Sequence, residues 1–240
     1  MKLLDWSAPG PYRVAFSTRL GGVSESPFDS LNLGIRTDDR PERVLENRRR
    51  LCEAAGADAQ GATMAWQVHG GRVAEARARG ILAPGVTFER CDGLWSDRPG
   101  QAMVLLTADC LPIAVCRDGG TPALSVLHVG WRGLLAGIVE AGVQALGPGT
   151  HSSAIGPGIG ACCYEVGEEV AEPFRARFDE DVVRGGRLDL RAAAERALLA
   201  AGCIAVDHVA RCTSCEEDVF FSHRRDRGRT GRQGVIAYVT

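Results

Sequence analysis

The side chains best suited to chemistry gather in residues 107 to 133. Cys110 follows Asp109 at the start of one apolar run, His128 closes a second, and Trp131-Arg132 follows between two glycines. The runs Ile113 to Cys116 and Ala123 to Val129 read as strands joined by a turn on Asp118-Gly119-Gly120, a dipeptide type that marks a hairpin. A turn centred between Gly119 and Gly120 sets Leu111 opposite His128 and Cys110 opposite Val129, so that a thiol and an imidazole lie side by side. Gly130 to Gly133 then leads into an amphipathic stretch, and free N–H groups at a helix start there would face the same corner, where an anion could bind.

Histidine is scarce, with five in all, which limits the metal chemistry open to the chain. His69 lies in Gln67-Val68-His69-Gly70-Gly71, a strand end running into a tight turn, beside glycines that let another group approach. Taken singly, such a histidine reads first as a satisfied structural residue. Taken together, His69, Cys110 and His128 would supply two imidazoles and one thiolate with a fourth position open to water, the arrangement of a catalytic rather than a structural zinc.

The elements that must position these residues are readable from periodicity. Tyr12 to Phe16 alternates as a strand, and Pro41 to Ala55 carries Val44, Leu45, Leu51, Cys52 and Ala55 at helical spacing, with Gly56 to end it. Arg48, four after Val44 and three before Leu51, falls on the inner stripe of that helix. Met103 to Thr107 is a strand leading into Asp109 and Cys110, and Leu134 to Leu146 is a helix stopped by Gly147-Pro148. Glu168 to Phe178 is helical but interrupted by Pro173. A cleaner helix runs from Asp189, as N-cap, to Ala201, with strands at Ala205 to Ala210 and Gly234 to Val239. Gly156-Pro157-Gly158 does not have dinucleotide-loop spacing, and Pro157 removes a donor that a phosphate cradle needs, so it reads as a shaped wall.

At 240 residues and a formal charge of −2, the chain reads as one large domain over residues 1–240 with no basic stripe for nucleic acid. No segment approaches the length of a membrane span, and Met1 to Asp5 lacks an apolar run, so a soluble cytoplasmic protein is expected. Nine cysteines, an odd number with two adjacent, argue against a disulfide framework. Cys212-Thr213-Ser214-Cys215 invites a zinc or redox reading, but no second pair or nearby histidine completes a knuckle, and structural zinc is disfavoured there. The loop Ser17 to Ser24 with Arg19 reads as a surface turn before an anion site. The basic tail Phe220 to Arg232 is either a solvated loop or a set of cations reaching a phosphate or carboxylate.

The runs Phe16 to Ser24, Leu31 to Gly34, Asn47-Arg48, Gln67 to Gly70, Thr107 to Pro112, His128 to Gly133, Ile155 to Pro157, Cys162 to Gly167 and Phe220 through Arg232 closely resemble the polyphenol oxidase or laccase-domain family. That family includes bacterial purine nucleoside phosphorylases and the peptidoglycan editing factor. The resemblance implies an α+β, mixed four-layer arrangement with β-sheets inside and helices outside. It implies a zinc site on His69, Cys110 and His128, and a phosphate-contacting arginine at Arg48. It also implies phosphorolysis of adenosine, inosine, guanosine and methylthioadenosine, together with adenosine deamination, so the expected partners are a purine nucleoside and phosphate. Two departures, Trp66 before the Gln67 run and His223 where a tyrosine is common, bear on the pocket's rim.

On this reading Zn2+ acts as Lewis acid, Arg48 and Arg132 hold phosphate, and Asp109 serves as an acid/base or supporting group, unless the alternation of a strand points it away. Copper is disfavoured as the cofactor: a multicopper oxidase needs about ten histidines in His-x-His pairs, and this chain has five and no such pair. Two rivals stay open. In one, Cys110 is the nucleophile of a cysteine hydrolase acting on an amide or a peptidoglycan precursor, activated by His128 or His69. In the other, the chain is a binding module that keeps the pocket without turnover. Nothing in the sequence sets an oligomeric state.

Overall fold

The computed structural model describes residues 1–83 and 85–240. In chain order the first strands are β1 (Leu3–Trp6), β2 (Tyr12–Ser17), β3 (Thr63–Trp66), β4 (Val73–Glu75), β5 (Glu89–Arg90), β6 (Gly93–Ser96) and β7 (Met103–Thr107). They are followed by β8 (Leu111–Asp118), β9 (Leu124–Val129), β10 (Thr150–Ile155), β11 (Val183–Arg184), β12 (Arg187–Leu188), β13 (Cys203–His208) and β14 (Gln233–Val239). The helices are α1 (Pro41–Ala55), α2 (Trp131–Leu135), α3 (Ile138–Ala145), α4 (Glu168–Phe178) and α5 (Leu190–Ala200).

Among the described residues two six-stranded mixed sheets form, one in the order β1-β2-β14-β7-β3-β5 and the other β13-β10-β8-β9-β6-β4. Strand alternation sorts their side chains into three apolar layers. Val14, Phe16, Met103, Leu105, Val235 and Ala237 of the first sheet meet Ala114, Cys116, Leu124, Val126 and Ala154 of the second. The opposite face of the first sheet, with Ala15, Val104 and Ile236, packs on Leu51, Cys52 and Ala55 of α1. The opposite face of the second, with Ile113, Val115 and Leu127, packs on α3, α4 and α5 through Val139, Phe174 and Leu198. The result is the four-layer mixed α/β arrangement expected from the resemblance, with sheets inside and helices outside.

Local sequence accounts for most element boundaries. α1 begins with Pro41 in its first turn and ends at Gly56, whose φ of 72° is the left-handed cap that glycine adopts without strain. Asp189 caps α5 by accepting the Ala192 N–H. The helix expected over Leu134 to Leu146 is broken in two, because Gly137 takes φ 81° between α2 and α3. Pro173, expected to interrupt its helix, sits within a continuous α4. Its ring faces solvent while Val170, Ala171, Phe174 and Phe178 anchor the other side in the core.

The β8–β9 hairpin is shifted by one residue from the sequence register. Leu111 pairs with Val129 and Pro112 with His128, so Cys110 lies just outside the strand instead of opposite Val129. The cause is the turn: pairing ends at Cys116 and Leu124, the Arg117 N–H donates to Ala123, and the loop centres on Gly120, with Pro122 unable to donate.

Gly156, just beyond β10, is wedged between the sheets: a Cβ there would lie 2.4 Å from Phe16 Cδ1 and 2.8 Å from Pro112 Cγ. Phe16 is fully buried and cannot swing aside. Gly156→Ala should therefore lower the unfolding free energy by about 1–3 kcal/mol through overpacking, measured by urea denaturation. An unchanged midpoint would show that the sheets are not in close contact here.

Candidate active site

The site lies where the ends of β3 and β7 in one sheet meet the start of β8 and the end of β9 in the other. Gln67 carries the chain past β3 by mimicking one more residue of ladder. Its side-chain amide donates to the Leu106 carbonyl at 2.7 Å and accepts the Leu106 N–H at 2.8 Å. The next turn holds His69 at φ 61°, and Asp109 sits at φ 89°, both in the left-handed region that residues with a Cβ seldom occupy. These two strained positions carry or adjoin the reactive side chains.

Asp92, at the start of β6, ties the histidines together. Its carboxylate is fully buried and accepts the N–H groups of Val68 at 3.1 Å, His69 at 2.8 Å and Gly70 at 2.7 Å. Its Oδ1 also lies 2.9 Å from His128 Nδ1. An ionised carboxylate only accepts, so Nδ1 of His128 carries the proton there and Nε2 is left for another ligand. Burial raises the Asp92 carboxyl, but His128 and the N–H groups of Gly70 and His69 outweigh it and hold it below the usual carboxylate range.

His69, Cys110 and His128 each offer a ligand atom, all within 4.8 Å of one another. The two rings meet edge to face with centroids 4.7 Å apart. Burial pushes the Cys110 thiol up, yet His128 and His69 outweigh that and bring it down to about 6. Burial pushes the His128 imidazole down, while the Cys110 thiolate and Asp92 raise it to about 9. Two imidazoles around a ready thiolate form a donor set that can take a transition-metal ion. Gly130 gives them room, since a Cβ on it would lie 2.9 Å from Cys110 Sγ.

These residues open into a cavity of about 630 Å³, lined also by Arg36, Arg48, Arg132, Arg224 and Arg232. Arg48, expected on the inner stripe of α1, is buried there; its Nε donates to the Leu33 carbonyl at 3.0 Å and its NH1 to that of Ile81 at 3.2 Å. No carboxylate pairs with it among the described residues, and burial lowers its pKa to about 10. Arg132 joins the cavity from α2, whose single turn is short for the anion-binding helix start expected from the sequence. Asp109 also lines the cavity, but both its oxygens are engaged, Oδ1 by Thr213 Oγ1 and Oδ2 by the Arg224 N–H, each at 2.7 Å. Thr107 Oγ1 is buried on the cavity wall with no partner among the described residues.

Sequence reasoning missed Asp92, Gln67 and Arg36. Asp92 stands before a glycine in what reads as an ordinary turn, and nothing in the sequence links it to residues 68–70 or 128. The basic tail divides: Arg224 and Arg232 reach the cavity, whereas Arg225 is spent on Asp226 and on the Thr213 and Phe220 carbonyls. Arg19 is likewise structural, donating to the carbonyls of Asp29 and Glu217.

A family model described as multi-copper polyphenol oxidoreductase laccase matches residues 13–240. The chain belongs to that family. A Pseudomonas aeruginosa protein named purine nucleoside phosphorylase is 42% identical, covering 98% of this chain and 96% of its own. The Escherichia coli purine nucleoside phosphorylase YfiH is 36% identical, covering 98% and 97%. The crystal structure of YlmD from Geobacillus stearothermophilus superposes with a TM-score of 0.91 at 33% identity, covering 100% of this chain and 96% of that one. An enzyme of the purine nucleoside phosphorylase kind is therefore supported within this laccase family. No helix of the structure is long and apolar enough to cross a membrane.

Asp92 meets four donors, which an amide with one acceptor oxygen cannot do. Asp92→Asn should weaken metal binding by about 10- to 100-fold in a titration with Zn2+. Wild-type affinity in a folded variant would show that Asp92 does not set the donor geometry.

Proposed function

We propose that the chain is a zinc-dependent purine nucleoside phosphorylase that also deaminates adenosine, with adenosine, inosine, guanosine and methylthioadenosine as its substrate class. The observation that carries this reading is one cavity that joins a His69–Cys110–His128 donor set to arginines without acid partners among the described residues. Zn2+ held by those three residues would supply Lewis acidity, polarising a bound group or activating water for attack on the purine ring. Copper is the disfavoured alternative, on the histidine inventory already given.

The residues' own work follows from their chemistry. Arg48 brings a positive charge into a buried place where the Leu33 and Ile81 carbonyls answer it, so an anion entering the cavity gains a desolvated, charge-assisted contact. Arg132 approaches the same space from α2 and can share the phosphate. With phosphate placed, its oxygen can displace the purine at the ribose carbon, and the cations around the cavity stabilise charge as it builds. The Thr107 hydroxyl offers a hydrogen bond to a polar group of the nucleoside. Asp109, with both oxygens committed, acts as a positioning residue that holds the turn presenting Cys110.

A second reading rests on the same corner. Cys110 with its thiol drawn down to about 6, His128 beside it and Asp92 behind form a nucleophile, base and orienter, which suits a cysteine hydrolase acting on an amide or peptidoglycan precursor. Activity that survives chelation with Cys110 covalently trapped by substrate would favour it over the metal enzyme.

Arg48→Ala separates the two purine reactions. Zinc content should stay as in the wild type, and phosphorolysis should fall by about 10- to 100-fold, the worth of a lost charge-assisted contact. Deamination uses water and should fall much less. Steady-state rates of both reactions on this variant check the assignment, and equal losses would move Arg48 from phosphate to the fold or the purine.

A further inference from the structure

Four of the nine cysteines cluster together outside the cavity. Cys162 and Cys163 lie in the loop after Gly160, and Cys212 and Cys215 in the loop after β13, so the fold supplies the second pair that the C-x-x-C lacks in its own neighbourhood. Their sulfurs all fall within 4.8 Å of one another. Cys215 Sγ is 3.4 Å from Cys162 Sγ and 3.3 Å from Cys163 Sγ. A disulfide needs about 2.05 Å, whereas sulfurs bonded at about 2.3 Å to a tetrahedral ion lie about 3.8 Å apart. The thiols thus stand near the spacing of a shared ion. The Gly160 N–H also donates to Cys212 Sγ at 3.2 Å, a contact that favours the thiolate.

Arg191, on α5, is half-buried; Asp189 is the first negative group that acts on it, Cys212 and Cys162 follow, and its Nε is buried without a partner among the described residues. Its NH2 donates to the Arg211 carbonyl at 3.1 Å. Four thiolates around one divalent ion carry two net negative charges, which would join Asp189 in balancing this guanidinium from the side of its unpartnered Nε.

We propose that Cys162, Cys163, Cys212 and Cys215 bind a second Zn2+ in a closed, structural site separate from the cavity. Four thiol protons leave to solvent as the ion enters, and no oxidant or reductant is involved. The ion clasps two loops that support the turn before Cys110. One loop carries Ile159, whose N–H donates to the Asp109 carbonyl at 2.8 Å, and Tyr164 on the cavity wall. The other carries Thr213, which holds the Asp109 carboxylate.

Metal analysis of the full chain, purified under reducing conditions, tests this apart from the purine chemistry. Wild type should hold two zinc ions per chain, Cys110→Ala one, and Cys212→Ser with Cys215→Ser one. Should the double variant not fold, Cys110→Ala refilled with Co2+ should still show the strong sulfur-to-cobalt absorption of a tetrathiolate site. The proposal is overturned if folded Cys110→Ala holds no metal and takes up no Co2+. It is also overturned if the denatured, unreduced chain has the mass of a disulfide among these four residues.

Discussion

Asp92 sits where the turn after β3 meets the end of β9, and its two oxygens take up the N–H groups of residues 68–70 and Nδ1 of His128. A charge buried this deeply is costly unless every lone pair is answered, and here the answers come from the segments that carry His69 and His128. One group thus fixes a backbone turn, an imidazole tautomer and the relative position of two rings. Cys110 then needs only to be aimed at them. The strained Asp109 does this, clamped from one side by Thr213 and the Arg224 N–H and from the other by Ile159.

The electrostatics of the cavity follow from the same economy of acids. Asp92 and Asp109 are consumed by hydrogen bonds within the protein, which leaves the cations facing the open space without acid partners among the described residues. Arg36 stacks on the Trp66 ring at 3.3 Å from its centroid, and Arg224 lies over Tyr164 at 5.3 Å, so both planar cations are held beside aromatic faces that a purine could share. A site built this way favours a ligand with an anionic end and a flat ring, the combination that phosphate and a purine nucleoside present together.

Much of this was legible in the sequence. Pro41 and Gly56 bracket α1 and place Arg48 on its inner stripe, and Met103 to Thr107 is a strand aimed at Asp109, because local signals of capping and alternation decide those elements. His69, Cys110 and His128 could be grouped by type and by resemblance. What stayed hidden depended on long-range contact or on backbone strain. The β8–β9 register turned on which residue centres the hairpin loop, a difference of one position. Gly137 in a left-handed conformation split a helix whose apolar pattern runs on unbroken. The partnership of Asp92 with residues 68–70, and of Cys162 and Cys163 with Cys212 and Cys215, joins loops distant in the chain that only the packed sheets bring together.

The proposed chemistry of the cavity stands on one ion held jointly by His69, Cys110 and His128. The most direct measurement is a crystal structure of the protein with Zn2+, phosphate and a nucleoside, with anomalous data collected at the zinc edge. An anomalous peak bonded to all three side chains is expected, with phosphate against Arg48 in the same cavity. A cavity without that peak, with Cys110 instead bonded covalently to a substrate carbon, would contradict a shared ion.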